Sequence, residues 1–169
     1  MQVSDKLLTA LNVQVGHELG ASSLYLAIAS YFGSESLSEL SRFFFRQSEE
    51  EREHALKFIH FIIDVGGQLE VPDVPAASSG FASAEEAVAA ALSSEERVTQ
   101  QIYDLVDLAR DERNHIADQF LDWFVSEQLE EVASMGALLQ VVQRAGDSLL
   151  LVEEYLAREG QLGGKAEAG

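Results

Sequence analysis

The segment Glu51-Arg-Glu-His54 puts a carboxylate and an imidazole three residues apart. On a helix, that step brings both groups to one face, about one turn apart. Three other segments carry matching chemistry: Glu18 with Tyr25 seven residues on, Glu95, and Gln128 with Glu131. Together they could converge on a pair of metal ions. Hard oxygen ligands, a bridging carboxylate and few imidazoles suit iron. A buried face of this kind is costly unless a metal or a partner satisfies it. Carboxylates combined with Glu-x-x-His steps are a known way of building metal sites inside four-helix bundles. Taken singly, each residue has a plainer reading. Glu18, Glu95 and Glu131 read as solvated charges, Glu49 to Glu53 as a charged face, and Tyr25 as a core tyrosine with a satisfied hydroxyl.

Composition narrows the field. The chain has 169 residues, 47% of them hydrophobic, which fits one domain with a substantial core. With no cysteine, disulfides and thiolate metal sites are excluded. A net charge of −18 argues against nucleic acid and fits the attraction of cations, or simply solubility. The first twenty residues lack a basic start followed by an apolar run, so no signal peptide is expected. No uncharged apolar stretch approaches about 18 residues, so no membrane span is expected. The expected location is cytoplasmic.

These side chains need long helices to hold them. Apolar residues recur near a 3.6 period from Leu7 to Tyr31, predicting a first helix from Ser4 to Tyr31, capped by Ser4 and ended by Gly33-Ser34. A second is expected from Ser36 or Ser38 to Val65, opened by Ser36-Leu-Ser-Glu39 as a capping box. Both prolines, Pro72 and Pro75, fall in the connection 66–82. Ser83-Ala-Glu-Glu86 reads as the capping box of a third helix ending near Arg110. A turn at 111–114 leads to a fourth helix that Gly146 stops, and a short fifth is expected from Asp147, as N-cap, to Glu159. The short links make two antiparallel hairpins, and the long one can run the length of a bundle. The expected fold is all-α: a four-helix bundle over 1–160 with a long crossover between helices two and three and a short fifth helix, then a flexible tail at 161–169.

The whole chain strengthens the metal reading. The stretches His17-Glu18 to Phe32, Ser48-Glu-Glu-Glu-Arg-Glu-His54-Ala, Glu95 with Thr99-Gln100, and Trp123 to Glu131 together resemble the ferritin family, and within it the bacterial non-haem ferritins. The resemblance runs from residue 4 to about 160 and implies a ferritin-like bundle. It implies that Glu18, Glu51 and His54 hold the first iron of a ferroxidase centre. Glu51 would bridge to a second iron held by Glu95 and Glu131, with Gln128 nearby. Tyr25 matches a family tyrosine that donates an electron or a hydrogen bond. Glu50, Glu127 and Glu130 match a third iron site of some bacterial members. Bacterioferritins carry a second Glu-x-x-His where this chain reads Gln128-Leu-Glu-Glu131. They also bind haem through a methionine on helix two, whereas the methionines here are Met1 and Met135, so haem is not expected.

The resemblance further implies a hollow twenty-four-subunit homo-oligomer. Fe(II) would enter through acidic pores, be oxidised by oxygen or hydrogen peroxide, and be stored inside as a ferric mineral. Asp118 is the best positional match for a pore residue, with Asp122 weaker, and either could be an ordinary exposed aspartate. The fifth helix would bury Leu149-Leu-Leu-Val152 around a fourfold axis. One rival is another di-iron enzyme of the same fold, either a rubrerythrin-like peroxidase, which normally adds a cysteine-ligated iron domain, or an oxygenase. The other is an acidic structural bundle with a degenerate centre, against which the complete ligand set argues.

Overall fold

Ser4 opens the first helix by accepting the Leu7 amide on its hydroxyl at 3.1 Å, which satisfies one of the orphan N–H groups of the first turn. The computed structural model describes residues 3–74 and 76–163. Helix α1 spans Asp5–Ser34, α2 Ser38–Asp64, α3 Ala84–Asp111, α4 His115–Ala145 and α5 Leu150–Gly163. The described residues contain no strand. No helix among them is long and apolar enough to cross a membrane.

Three helices end in the same way. In α1, the Ser36 amide donates to the Gly33 carbonyl and the Leu37 amide to that of Phe32, with Ser36 at φ 61°. This is a Schellman motif, and it recurs at Gly66 (φ 80°) closing α2 and at Arg113 (φ 54°) closing α3. The motif corrects one expectation. Ser36 is spent on closing α1 and cannot cap α2, whose N-cap is Leu37, with no side-chain hydrogen bond from it. The free amides of Glu39 and Leu40 donate instead to the Glu153 carboxylate of α5, at 2.8 and 2.9 Å. At α3 the Ser83 hydroxyl does accept the Glu86 amide, and the Glu86 carboxylate accepts from Ala82. Asn114 caps α4 through the Ala117 amide.

Contacts along the helices set the topology. Ser4 near the start of α1 meets Glu112 just past the end of α3, while Tyr25 meets Glu95, so α1 and α3 run antiparallel. Stacked pairs Phe61–Phe120 and Phe58–Phe124 run α2 and α4 antiparallel. With α1 and α2 a hairpin, α2 and α3 are parallel, and the crossover must travel the bundle's length. It lies against α1. The Asn12 side chain donates to the Gln68 carbonyl and accepts the Glu70 amide. Pro72 sits so close to Gly16 that a Cβ there would meet its Cγ at 2.6 Å.

Helix α5 departs from its predicted span. It begins at Leu150 rather than after Asp147, and runs to Gly163, past the expected boundary at 160. Residues 164–169 of the expected tail lie outside the described residues. Leu149 and Val152 pack onto the chain's own core, whereas Leu150 and Leu151 are exposed. The apolar stretch is therefore split between two faces.

The apolar core is in two parts. One joins Leu7, Leu11 and Val15 of α1 to Phe58, Ile102 and Leu121. The other joins Tyr25, Ile28 and Phe32 to Phe44, Ala91 and Met135. On each of α1 to α4 the break between the two parts falls at the level of the chemical residues.

Candidate metal centre

Between the two apolar clusters lies a polar layer. Helix α1 brings Glu18, α2 brings Glu51 and His54, α3 brings Glu95, and α4 brings Gln128 and Glu131. None of the six is more than 6% exposed. The same periodicity that buries Leu11, Val15 and Ile28 on α1 carries Glu18 to the inward face, so its burial follows from its register.

One ligand-type atom of each of Glu18, Glu51 and His54 lies within 4.8 Å of the others. A second group, with the same limit, shares His54 and adds Glu127 and Glu131. The shared histidine makes them one continuous site across α1, α2 and α4. His54 Nδ1 stands 3.4 Å from Glu51 Oε2. Glu95 is tied in from α3. Tyr25 donates its hydroxyl to one carboxylate oxygen, and Gln128 Nε2 donates to the other at 3.0 Å.

Neighbouring side chains hold these groups in place. His54 packs edge-on against Trp123 and Phe124, with centroids at 5.4 and 5.9 Å. The Lys57 ammonium covers the Trp123 ring at 4.5 Å. Ser22 and Ser48 each donate to the other's backbone carbonyl, at 2.8 and 2.9 Å, clamping α1 to α2 beside the site.

Electrostatics show what the site lacks. Glu18 is pushed well above the usual carboxylate range, first by burial and then by Glu51. Glu51 is pushed well up by burial and by Glu95. Glu95 is also raised by burial. Glu131 is raised to about 8 by burial, then by Glu95 and Glu50. Burial and the nearby Glu95 push the Tyr25 phenol well above its ordinary value. Acids are thus crowded where water cannot solvate them, with no Lys or Arg in the layer. Glu18 Oε2 and Glu51 Oε2 have no hydrogen-bond partner. Orphaned carboxylate oxygens beside an imidazole fit a hard cation, and with no thiolate among them the donor set fits iron.

The structure therefore brings Glu18, Tyr25, Glu51, His54, Glu95, Gln128 and Glu131 together. Of the trio Glu50, Glu127 and Glu130, one member belongs to these groups. Glu127 joins His54 and Glu131, while Glu50 accepts from Gln47 and Glu130 is exposed and in neither group. Asp118 pairs with Arg110 at 2.9 Å on the surface, and Asp122 is exposed. Sequence reasoning missed Gln14, which is buried against Glu18. Its spacing, four residues before a candidate ligand, was the available signal. The Ser22–Ser48 clamp left no such signal, because it joins two helices.

Comparison with known proteins identifies the family and the fold. The family model for the ferritin-like domain matches residues 8–145. A Mycobacterium tuberculosis protein called bacterioferritin BfrB is 41% identical over 146 residues, 86% of this chain and 81% of its own length. A Staphylococcus aureus bacterial non-heme ferritin is 37% identical over 157 residues, 91% of this chain and 95% of its own. The open pore ferritin of the archaeon Archaeoglobus fulgidus superimposes with a TM-score of 0.88 at 33% identity, covering 91% of this chain and 96% of that one. Matched in family, length and fold, the chain belongs to the ferritin family of iron-storage proteins.

Proposed function

We propose that the chain oxidises Fe(II) at a two-iron ferroxidase centre and stores the Fe(III) as a mineral inside a hollow twenty-four-subunit shell. The observation that carries this reading is the buried group of Glu18, Glu51 and His54, with free oxygens on both glutamates. Iron is the substrate here. The first ion takes Glu18, Glu51 and His54. Glu51 bridges to the second, held by Glu95 and Glu131 with Gln128 alongside. A third position nearby takes Glu127, beside His54 and Glu131, together with Glu50 and Glu130.

The protein's part is positioning and charge. In the metal-free site, burial keeps carboxyl groups such as Glu131 protonated at neutral pH. Arrival of the cations makes the carboxylate form favourable, so loading releases protons. Two Fe(II) ions yield two electrons. With dioxygen and two protons these form hydrogen peroxide, and with hydrogen peroxide and two protons they form two waters. Tyr25, hydrogen-bonded to Glu95, is placed to steady that ligand or to supply an electron. Product Fe(III) then moves inward, where the −18 charge of each chain favours its nucleation.

The test adds several hundred equivalents of Fe(II) per shell in air, then separates by size with mass and iron detection. Iron co-eluting with a twenty-four-subunit particle is expected. A small oligomer holding about two irons per chain refutes storage in a cage and favours a di-iron enzyme of the same fold. No retained iron refutes the reading entirely and leaves a degenerate bundle.

A further inference from the structure

Gln14 belongs to none of the metal-ligating groups above, yet it is 2% exposed and hydrogen-bonded at both ends of its amide. Its Nε2 donates to Glu18 Oε1 at 2.8 Å. Its Oε1 lies 3.2 Å from His17 Nδ1. A carboxamide oxygen only accepts, so His17 donates through Nδ1. With His17 in that tautomer, the second bond favours the amide direction that turns Nε2 toward Glu18. Flipped, the amide would oppose oxygen to oxygen.

The remaining Glu18 oxygen, Oε2, is buried, accepts no N–H or hydroxyl, and has the Glu51 carboxyl as its neighbour. Gln14 therefore occupies one oxygen of the carboxylate and leaves the other free in the group with Glu51 and His54. Across the site Gln128 Nε2 treats Glu95 in the same way, at 3.0 Å. The carboxylates of α1 and α3 thus each receive an amide N–H from a glutamine. They differ in one respect: Tyr25 takes the second oxygen of Glu95, whereas Glu18 keeps its second oxygen open.

The geometry points to Gln14 as a positioning residue that presents Glu18 to iron through Oε2 alone, with His17 setting the direction of the amide. This rests on the iron-oxidation reading above. A neutral donor on the outer oxygen fixes the carboxylate without removing its charge, and such partners orient a ligand and tune its affinity. Two-oxygen binding by Glu18 would load Oε1 with both the ion and the Gln14 N–H, whereas Oε2 carries no competing N–H donor. Ligation through Oε2 alone draws one oxygen from α1 and retains room for the oxidant.

The test compares wild type with Gln14→Leu, which keeps bulk but loses the donor, and Gln14→Glu, which sets acceptor against acceptor. A third variant, His17→Ala, changes only a half-buried side chain and keeps the question open should either Gln14 variant fail to fold. Anaerobic Co(II) titration followed by its visible bands reads the site directly. Initial rates separate KM for Fe(II) from kcat, and thermal unfolding of chelator-treated protein reads structure alone. Gln14→Leu should weaken the first Co(II) by roughly 10–100-fold and change its band shape. It should raise KM for Fe(II), with little change in the metal-free melting temperature. Gln14→Glu should bind more weakly still, and His17→Ala should show a smaller loss of the same kind. Wild-type Co(II) affinity and bands in these variants, with or without a lower melting temperature, overturn the assignment while iron oxidation by the wild type stands. A wild type that neither binds Co(II) nor oxidises Fe(II) overturns this assignment and the parent reading together.

Discussion

Replacing Glu131 with glutamine isolates the cost of holding acids in a buried layer. Its carboxyl is raised from 4.5 to about 8, first by burial and then by Glu95 and other neighbouring glutamates. Between those values the folded, metal-free chain keeps a proton that the unfolded chain has lost. The linkage sign follows: the folded state binds more protons, so raising the pH destabilises it. Stability is fully present below the ordinary value of 4.5 and is lost as pH rises to about 8. At about 1.4 kcal/mol per pH unit, the ceiling is roughly 5 kcal/mol. Relaxation and water entry lower such penalties in real proteins, so about 2–3 kcal/mol is expected. For a chain of this size that corresponds to roughly 5–10 °C in melting temperature. Glutamine copies the neutral acid's shape and has no proton to lose. The assay is thermal and urea unfolding of chelator-treated wild type and Glu131→Gln at pH 5 and pH 8. Protein concentrations must match, because assembly makes melting concentration-dependent. The difference between the two proteins isolates Glu131 from the other raised acids. Equal pH dependence in both refutes the reasoning. Saturating divalent cation should reverse the trend in the wild type, since the metal favours the carboxylate.

Four further outcomes are expected. Glu51→Ala removes a ligand shared by both proposed irons and should slow the initial phase of Fe(II) oxidation at least about 100-fold in stopped-flow, no less than the roughly 10–100-fold that losing a partner behind a ligand costs. Gly16→Ala forces a Cβ to within 2.6 Å of the Pro72 ring. It should cost about 1–3 kcal/mol in urea unfolding. Gly20→Ala, with nothing within 4 Å, should instead gain up to about 1 kcal/mol from helix propensity. Glu153→Ala strips the cap from the Glu39 and Leu40 amides. It should cost about 1–2 kcal/mol and increase amide exchange at the start of α2, whereas protected amides there would show that α5 is not the cap.

Much of the fold was legible because long helices write their buried faces into a 3.6-residue period. Leu7, Leu11 and Val15 mark the inward stripe of α1, and Glu18 falls on it. Ser83 and Asn114 act on amides three residues away, so local spacing suffices to find such caps. The caps at Ser36 and Asp147 failed for the opposite reason. Ser36 satisfies both local rules, but closing α1 requires it in the left-handed conformation, and a residue cannot also hold the extended backbone of an N-cap. The α2 amides then found Glu153, more than a hundred residues away in sequence, which no local pattern encodes.

The sequence by itself determined which side chains could bind a metal and which helix each belongs to. Periodicity and residue type depend only on neighbours along the chain. The tertiary structure alone decided that Glu18, Glu51 and His54 meet within reach of one ion, and that Gln14 holds one oxygen of Glu18 while the other stays free. It also decided that Glu127 joins His54 and Glu131. Those outcomes depend on how far α1, α2 and α4 slide and rotate against one another. That is settled by the packing of Phe58 on Phe124, by the Ser22–Ser48 clamp and by the crossover seated on Gly16, and such contacts join segments whose spacing in sequence carries no information about their distance in space.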